Sequence, residues 1–350
     1  MKITHLERKG VRVPFVPGIL SPPEYEELTD SYPKPIGERL QDIYYIHTDT
    51  GHTGLGMGGP YFEQREEAPP ELIGLDVRTF EPRSLGGGGW QVALLDLLGK
   101  DIGWPLCRIF GGRLQDRVLV DYWIQRMGVE DTAAAAQRAA DLGFHGIKMK
   151  CMWADGNVVE RAFAIHEVAP SMRIVMDPGH RFHTLENSLE LARALDGLDV
   201  VFEDPMPKRD LMDYLRLREQ SSVAVAPHFQ NPRQVIQAVE MEAVDAINVA
   251  PSDWGFLDMA QIAAAADIPV WQASNVDLGI FDAFRLHASA AAPNCTFGSD
   301  LCGNFVHEHS LLSKPLVSDG YAIVPDGPGL GVELDEAAVA RYQVFHDQWP

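Results

Sequence analysis

Four successive apolar runs in this chain each end on a polar group able to do chemistry. They are Gly146-Ile147-Lys148-Met149-Lys150, Arg173-Ile174-Val175-Met176-Asp177, Val200-Val201-Phe202-Glu203 and Val223-Ala224-Val225-Ala226-Pro227-His228. The ends fall roughly 25 to 30 residues apart, the length of one strand plus its returning helix. A short β-rich run followed by a helix-length segment, repeated in this way, predicts a parallel barrel. Such a barrel collects its active site at the C-terminal ends of the strands. Two lysines, an aspartate, a glutamate and a histidine are therefore expected at one mouth.

The alternation begins earlier and runs further. Val118–Tyr122 reads as strand one and Thr132–Leu142 as an alanine-rich helix. Helix-like segments follow at about 158–168, 185–195, 211–219 and 233–242. Asp245–Val249 and Ile268–Gln272 read as strands six and seven, and Cys295–Gly298 as strand eight. Eight such signals favour a barrel over an open sheet. No GxGxxG motif follows strand one, which argues against a dinucleotide-binding domain. The first 110 residues differ: a proline-rich stretch from Val13 to Pro35 precedes a strand-and-turn signal, Ile43–Gly51, and a helix from Trp90 to Lys100. The segment from Val13 to Arg39 is expected to act as a lid, with Pro17, Pro22, Pro23 and Pro33 stiffening it. Tyr25, Tyr32 and Tyr61 could meet substrate there or simply pack.

Bulk properties narrow the partners. With 350 residues and a net charge of −21, the surface repels polyanions, so no nucleic acid partner is expected. An anionic substrate would need a local cation or lysines. Cys107, Cys151, Cys295 and Cys302 show no paired spacing and read as reduced, buried thiols. No signal-like start and no run of about 20 apolar residues occurs, so a cytoplasmic protein with no membrane partner is expected.

Residues two apart on a strand share a face, so Lys148 and Lys150 point together. Mutual repulsion and burial could lower one of them toward a neutral base; an ordinary surface lysine pair is the plainer alternative. Asp177 and Glu203 are hard oxygen donors on the next two strand ends, suited to Mg2+ or Mn2+. Such an ion would stabilise an enolate formed on a carboxylate substrate. His228 could be the third ligand, an acid/base group or a substrate contact, and of these roles the ligand is placed first.

Several further motifs resemble the enolase superfamily, in its mandelate racemase and muconate-lactonising branch. They include Thr48-Asp49-Thr50-Gly51 with Gly54-Leu55-Gly56, and Leu94–Lys100 followed by Gly103-Trp104-Pro105-Leu106. Phe202-Glu203-Asp204-Pro205 and Val324–Gly331 continue the likeness nearly to the C-terminus. The resemblance implies an α+β capping domain at 1–115 and a modified (β/α)7β, TIM-like barrel at 116–315. It also implies a C-terminal segment, 316–350, returning to the cap. Lys150 becomes the base with Lys148 its partner, and Asp177, Glu203 and His228 the ligands of a divalent ion, usually Mg2+. Homo-oligomers are common in such a family, and a small carboxylate is the expected substrate.

This chain departs from the family at several points. His228 and Gly179 replace the usual polar residues, strand seven reads Trp271-Gln272-Ala273-Ser274-Asn275, and the strand-six partner position falls among Val249, Ala250 and Pro251. No second base then faces Lys150, which favours a lyase, the dehydration of a sugar acid or related hydroxy acid to a 2-keto-3-deoxy acid. His180 and His228 are the candidate acids, and Asn275 and Asp277 are polar contacts or plain loop residues. A cycloisomerase or epimerase, or a carboxylate-binding protein without catalysis, are the alternatives.

Overall fold

The computed structural model describes residues 1–22, 25, 37, 39–58, 66–81, 83, 88–209, 211–250 and 253–350. Most of the expected lid, with Pro23, Tyr32 and Pro33, lies outside them, as do Tyr61 and Pro251. The chain begins with an antiparallel sheet, β1 (Ile3–Val11), β2 (Gln41–Thr48) and β3 (Thr53–Gly58). Its apolar face packs on α1 (Gly89–Ile102). A Cβ on Gly56 would lie 1.8 Å from the Gly89 carbonyl oxygen, so glycine is what lets β3 lie against this helix. Asp96 on α1 accepts from Leu55 N, Leu330 N and Lys100 Nζ at 2.6–2.8 Å, joining cap and C-terminal loop in one buried junction.

After α2 (Leu106–Ile109) and β4 (Arg117–Leu119), strands and helices alternate: β5 (Tyr122–Ile124), α3 (Val129–Asp141), β6 (Gly146–Lys150), α4 (Val158–Val168), β7 (Arg173–Asp177) and α5 (Leu185–Ala194). Then come β8 (Val200–Glu203), α6 (Met212–Gln220), β9 (Ala224–Ala226), β10 (His228–Phe229), α7 (Pro232–Glu240), β11 (Ile247–Val249), α8 (Trp254–Ala264), β12 (Val270–Gln272) and α9 (Gly279–Ala290). β5 to β9 pair in parallel in sequence order, as do β10 to β12. Pro227, with no N–H to give the ladder, separates β9 from β10. The chain then forms β13 (Val317–Ser318), antiparallel to β14 (Tyr321–Ile323), which in turn pairs antiparallel with β4. After α10 (Glu336–Tyr342), β15 (Gln343–Trp349) pairs with β1, completing a four-stranded cap sheet. The architecture is an N-terminal antiparallel capping sheet and a parallel α/β barrel.

Two strand expectations change in detail. The run Val118–Tyr122 divides between β4, which serves the antiparallel C-terminal sheet, and β5, which opens the barrel. The run Cys295–Gly298 forms no strand: single parallel bridges, Val270 to Cys295 and Val120 to Ser299, close the barrel. All four cysteines are buried and unpaired. Among the described residues no helix is long and apolar enough to cross a membrane.

Inside the barrel Val175, Val201, Ala226, Ala246 and Trp271 form an apolar plug separate from the main core. The two alanines leave room for the indole. Nearby, Asp121 is buried with Oδ2 unpartnered, and a Cβ on Gly298 would lie only 1.9 Å from its Oδ1. Burial pushes the Asp121 carboxyl up to about 7, with Arg173 the largest opposing influence. A raised carboxyl adds no penalty below the unfolded value near 4. The penalty grows as pH rises and is complete above the folded value. Asp121→Asn is therefore expected to match wild type near pH 4 and to be more stable by about 2 kcal/mol near pH 7.5. Urea unfolding at both pH values checks this; an equal difference at both would remove the titration as its cause.

Candidate active site

The residue two places beyond each member of the plug lies on the same face of its strand. Val175 leads to Asp177, Val201 to Glu203, Ala226 to His228, Ala246 to Asn248 and Trp271 to Ala273. Lys148, the register partner of Val175, enters from β6. The residue is 4% exposed, and its ammonium donates to Asp300 Oδ2 at 2.7 Å and Glu203 Oε1 at 2.9 Å, with Asp177 Oδ2 at 3.2 Å. Burial alone would lower this amine, but Asp300, Glu203 and Asp177 outweigh it and hold the group well above the ordinary lysine range. The expectation of a neutral amine therefore fails at Lys148, because strand-distant carboxylates, not the neighbouring lysine, set its charge.

Lys150 Nζ donates to Asp177 Oδ2 at 2.5 Å, and its side chain is 35% exposed against 6% for Lys148. Arg161, buried on α4, donates to the Lys150 carbonyl at 2.9 Å and to Gln125 O at 3.0 Å, fixing the end of β6. Burial opposes ionisation of Asp177, but Lys150 and then Lys148 hold its carboxyl far below the usual range. Burial, then the charge of Asp177, push the Glu203 carboxyl up, with Lys148 working against them.

A second layer is organised by Asp204. Its Oδ1 accepts from His228 N at 2.8 Å, and its Oδ2 from Lys208 Nζ at 2.5 Å; the same ammonium donates to the His228 carbonyl. His180 N donates to the Asp204 carbonyl at 2.7 Å. With Nδ1–H donating to Met206 O at 3.2 Å, the His180 ring turns Nε2 toward Asp204 Oδ2 at 3.5 Å. Its side chain is 42% exposed. Burial pushes the His228 imidazole down to about 4, so it is neutral.

Two residues at this mouth escaped the sequence reading. Asn248 is the inward residue of the sixth barrel strand, β11, in place of Val249, Ala250 or Pro251, and donates to Glu203 Oε1 at 2.7 Å. Its signal was the alternation with Ala246. Asp300 lies just past the eighth run, where Gly298-Ser299-Asp300 obeys the same rule of a run ending on an acid. Asp277, by contrast, is buried in an ion pair with Arg285 at 2.5 Å and braces Asn275 N at 3.1 Å. The cap reaches this edge through Gln41, which accepts from Leu278 N at 2.9 Å. Of the lid, Tyr25 packs on the barrel: Arg126 donates to its carbonyl at 2.7 Å and Asn157 to its hydroxyl at 3.3 Å.

Among the described residues no three His, Cys, Asp or Glu side chains form a ready-made metal cage, since the ammonium groups stand between the carboxylates. The donor set nevertheless suits a cation. Glu203 Oε2, although 2.8 Å from Lys148 Nζ, takes no well-directed hydrogen bond. His228 Nε2 and Asn248 Oδ1 are also buried without a partner. Bare buried acceptors of this kind mark places where something positive belongs.

A capped parallel barrel with acids, amines and imidazoles gathered at its C-terminal mouth defines a class of enzyme working on small carboxylates. Residues 131–338 match the family described as enolase C-terminal domain-like, and the chain belongs to the enolase superfamily, in its mandelate racemase and muconate-lactonising branch. It is 28% identical over 291 residues to an N-succinylamino acid racemase of Thermus thermophilus, covering 80% of this chain and 77% of the relative. It is 24% identical to a D-galactonate dehydratase family member of Oceanicola granulosus, over 85% of this chain and 90% of that one. The crystal structure of an N-succinyl Arg/Lys racemase from Bacillus cereus superposes over all of both chains with a TM-score of 0.82 at 20% identity. The protein is thus an enzyme of a superfamily that abstracts the proton α to a carboxylate and typically uses Mg2+.

The two lysines are expected to separate under mutation. Lys148→Met strands three buried carboxylates and should cost about 3–5 kcal/mol of stability. Lys150→Met, at a part-exposed amine, should cost about 1 kcal/mol or less. Denaturant unfolding of both variants checks this, and equal losses would refute the distinction.

Proposed function

We propose that the protein takes the α-proton from a sugar acid or related hydroxy acid and expels the β-hydroxyl, giving a 2-keto-3-deoxy acid. The asymmetry of the mouth carries this reading. Lys150 stands on one side, while β11, four positions around the barrel, presents the amide of Asn248, and β12 leads to Ala273. Neither is a base. Inverting a carbon calls for a base on each face, whereas elimination calls for one base and one acid.

Lys150, once deprotonated, removes the α-proton, and the electron pair moves into the carboxylate. The Lys148 ammonium stabilises the charge that develops there. His180, as imidazolium beside Asp204, gives its proton to the departing hydroxyl, which leaves as water. The enol that remains takes a proton at the β-carbon, which the Lys150 ammonium can return, and loses the proton of its 2-hydroxyl to solvent, giving the 2-keto acid. Asp177, Glu203 and His228 would hold a divalent cation, which supplies further charge stabilisation to the substrate carboxylate when bound. On this reading the barrel of 116–315 carries the chemistry, and 1–115 with 316–350 cover it and select the acid that enters.

The likeness to the Thermus racemase supports a second reading, isomerisation at the α-carbon. Incubating the protein in deuterated water with sugar acids and with N-acyl amino acids separates the two. Dehydration gives a 2-keto product, while isomerisation gives inverted substrate carrying deuterium. The expected result is keto product, with Lys150→Ala lowering kcat/KM by about 10²–10⁴. Full turnover in that variant would remove Lys150 from the mechanism.

A further inference from the structure

The three bare acceptors come from neighbouring strands. Asn248 Nδ2 is spent on Glu203 Oε1 at 2.7 Å, which leaves Asn248 Oδ1 unmet, while Glu203 Oε2 faces the Lys148 ammonium at 2.8 Å without a well-directed hydrogen bond. His228 is the register partner of Asn248, and both follow an alanine of the plug by two residues, so the imidazole and the amide lie side by side on the inner face. His228 Nε2, in the tautomer carrying its proton on Nδ1, presents a bare lone pair. Asp177 is different: its Oδ2 meets both ammonium groups, and its Oδ1 accepts from Gly179 N at 3.1 Å. A buried acceptor with no well-directed partner is costly. Three adjacent ones point to a positive occupant on the β8–β10–β11 side.

We infer that Asn248 is itself a cation ligand, acting through Oδ1 beside Glu203 Oε2 and His228 Nε2, and that this seat prefers a borderline transition ion to Mg2+. The inference rests on the proposed cation-assisted function and revises its donor set, Asn248 taking the place of Asp177, both of whose oxygens are engaged. Mg2+ is held chiefly by oxygen, favours carboxylates and sheds water reluctantly. One carboxylate, one neutral amide and one imidazole offer it little charge. Imidazole suits Co2+, Ni2+ or Zn2+, whose affinity for mixed nitrogen and oxygen sites lies above that of the early divalent ions.

The test uses the full chain, freed of metal by dialysis against a chelator and titrated calorimetrically with Co2+ and with Mg2+. Circular dichroism and melting temperature report folding of each variant. Co2+ is expected to bind wild type at least about tenfold more tightly than Mg2+. Asn248→Leu should weaken Co2+ binding by about 10–100-fold. Asn248→Asp, which keeps an oxygen donor and adds charge, should bind Co2+ more tightly than wild type, and His228→Gln should erase the preference for Co2+. Mg2+ binding as tightly as Co2+ overturns the selectivity. Unchanged Co2+ affinity in both Asn248 variants overturns the ligand role. If Glu203→Gln abolishes binding while the Asn248 variants do not change it, the cation-assisted function stands and this inference falls. A wild-type protein that binds neither ion overturns both.

Discussion

The ammonium of Lys148 lies among Asp300, Glu203 and Asp177 with almost no access to water, and the electrical state of the mouth follows from that placement. Three carboxylates gathered without a cation would repel one another in a medium that screens poorly. Lys148 makes their approach tolerable, and Lys150 meets Asp177 from the solvent side. Taken as ionised, three carboxylates against two ammonium groups leave one negative charge, because the His228 imidazole is neutral. A divalent ion would turn that to one positive charge. The reversal matters in a chain of net charge −21, which repels an anionic substrate until the substrate reaches a locally positive site.

The plug below the mouth decides which side chains can take part. Trp271 fills the barrel against Ala226 and Ala246, and strand alternation then fixes His228 and Asn248 as the next inward residues. A larger residue at either alanine would displace the indole and, with it, the level at which the polar groups stand. Arg161 and Asp204 work from outside the ring, the first on the Lys150 carbonyl and the second on the backbone of His180 and His228. Position at the mouth thus comes in part from backbone atoms tied down by buried charges.

Much of this was legible because a barrel strand that ends on an acid or amine leaves a local trace. Lys148, Lys150, Asp177, Glu203 and His228 were visible as ends of apolar runs. Asn248 was hidden because it sits within the run Asp245–Val249, where only the period of two from Ala246 marks it. Asp300 was hidden because its run is too short to form a strand and meets its neighbours by single bridges. The charge of Lys148 could not be read locally at all. Its nearest sequence neighbour is another cation, whereas the groups that determine it come from 29, 55 and 152 residues away. The lid lies largely outside the described residues.

Asp204 shows how the fold tolerates strain at such a site. Its φ of 47° is unusual for a residue with a Cβ, and it immediately precedes Pro205, which further restricts its backbone. Such a conformation costs about 1–3 kcal/mol and persists only when surrounding bonds over-determine it. Here the Asp204 amide donates to Ala226 O at 3.1 Å, its carbonyl accepts from His180 N, and its carboxylate meets Lys208 and His228 N. The strained turn lets one residue bind the ends of β7, β8 and β10 together. His180, in the turn after β7, and His228, on β10, are thereby set against a common carboxylate. Relaxing the turn would give up that shared reference, because an Asp204 in ordinary extended backbone could not present both its carbonyl and its carboxylate to the same two neighbours.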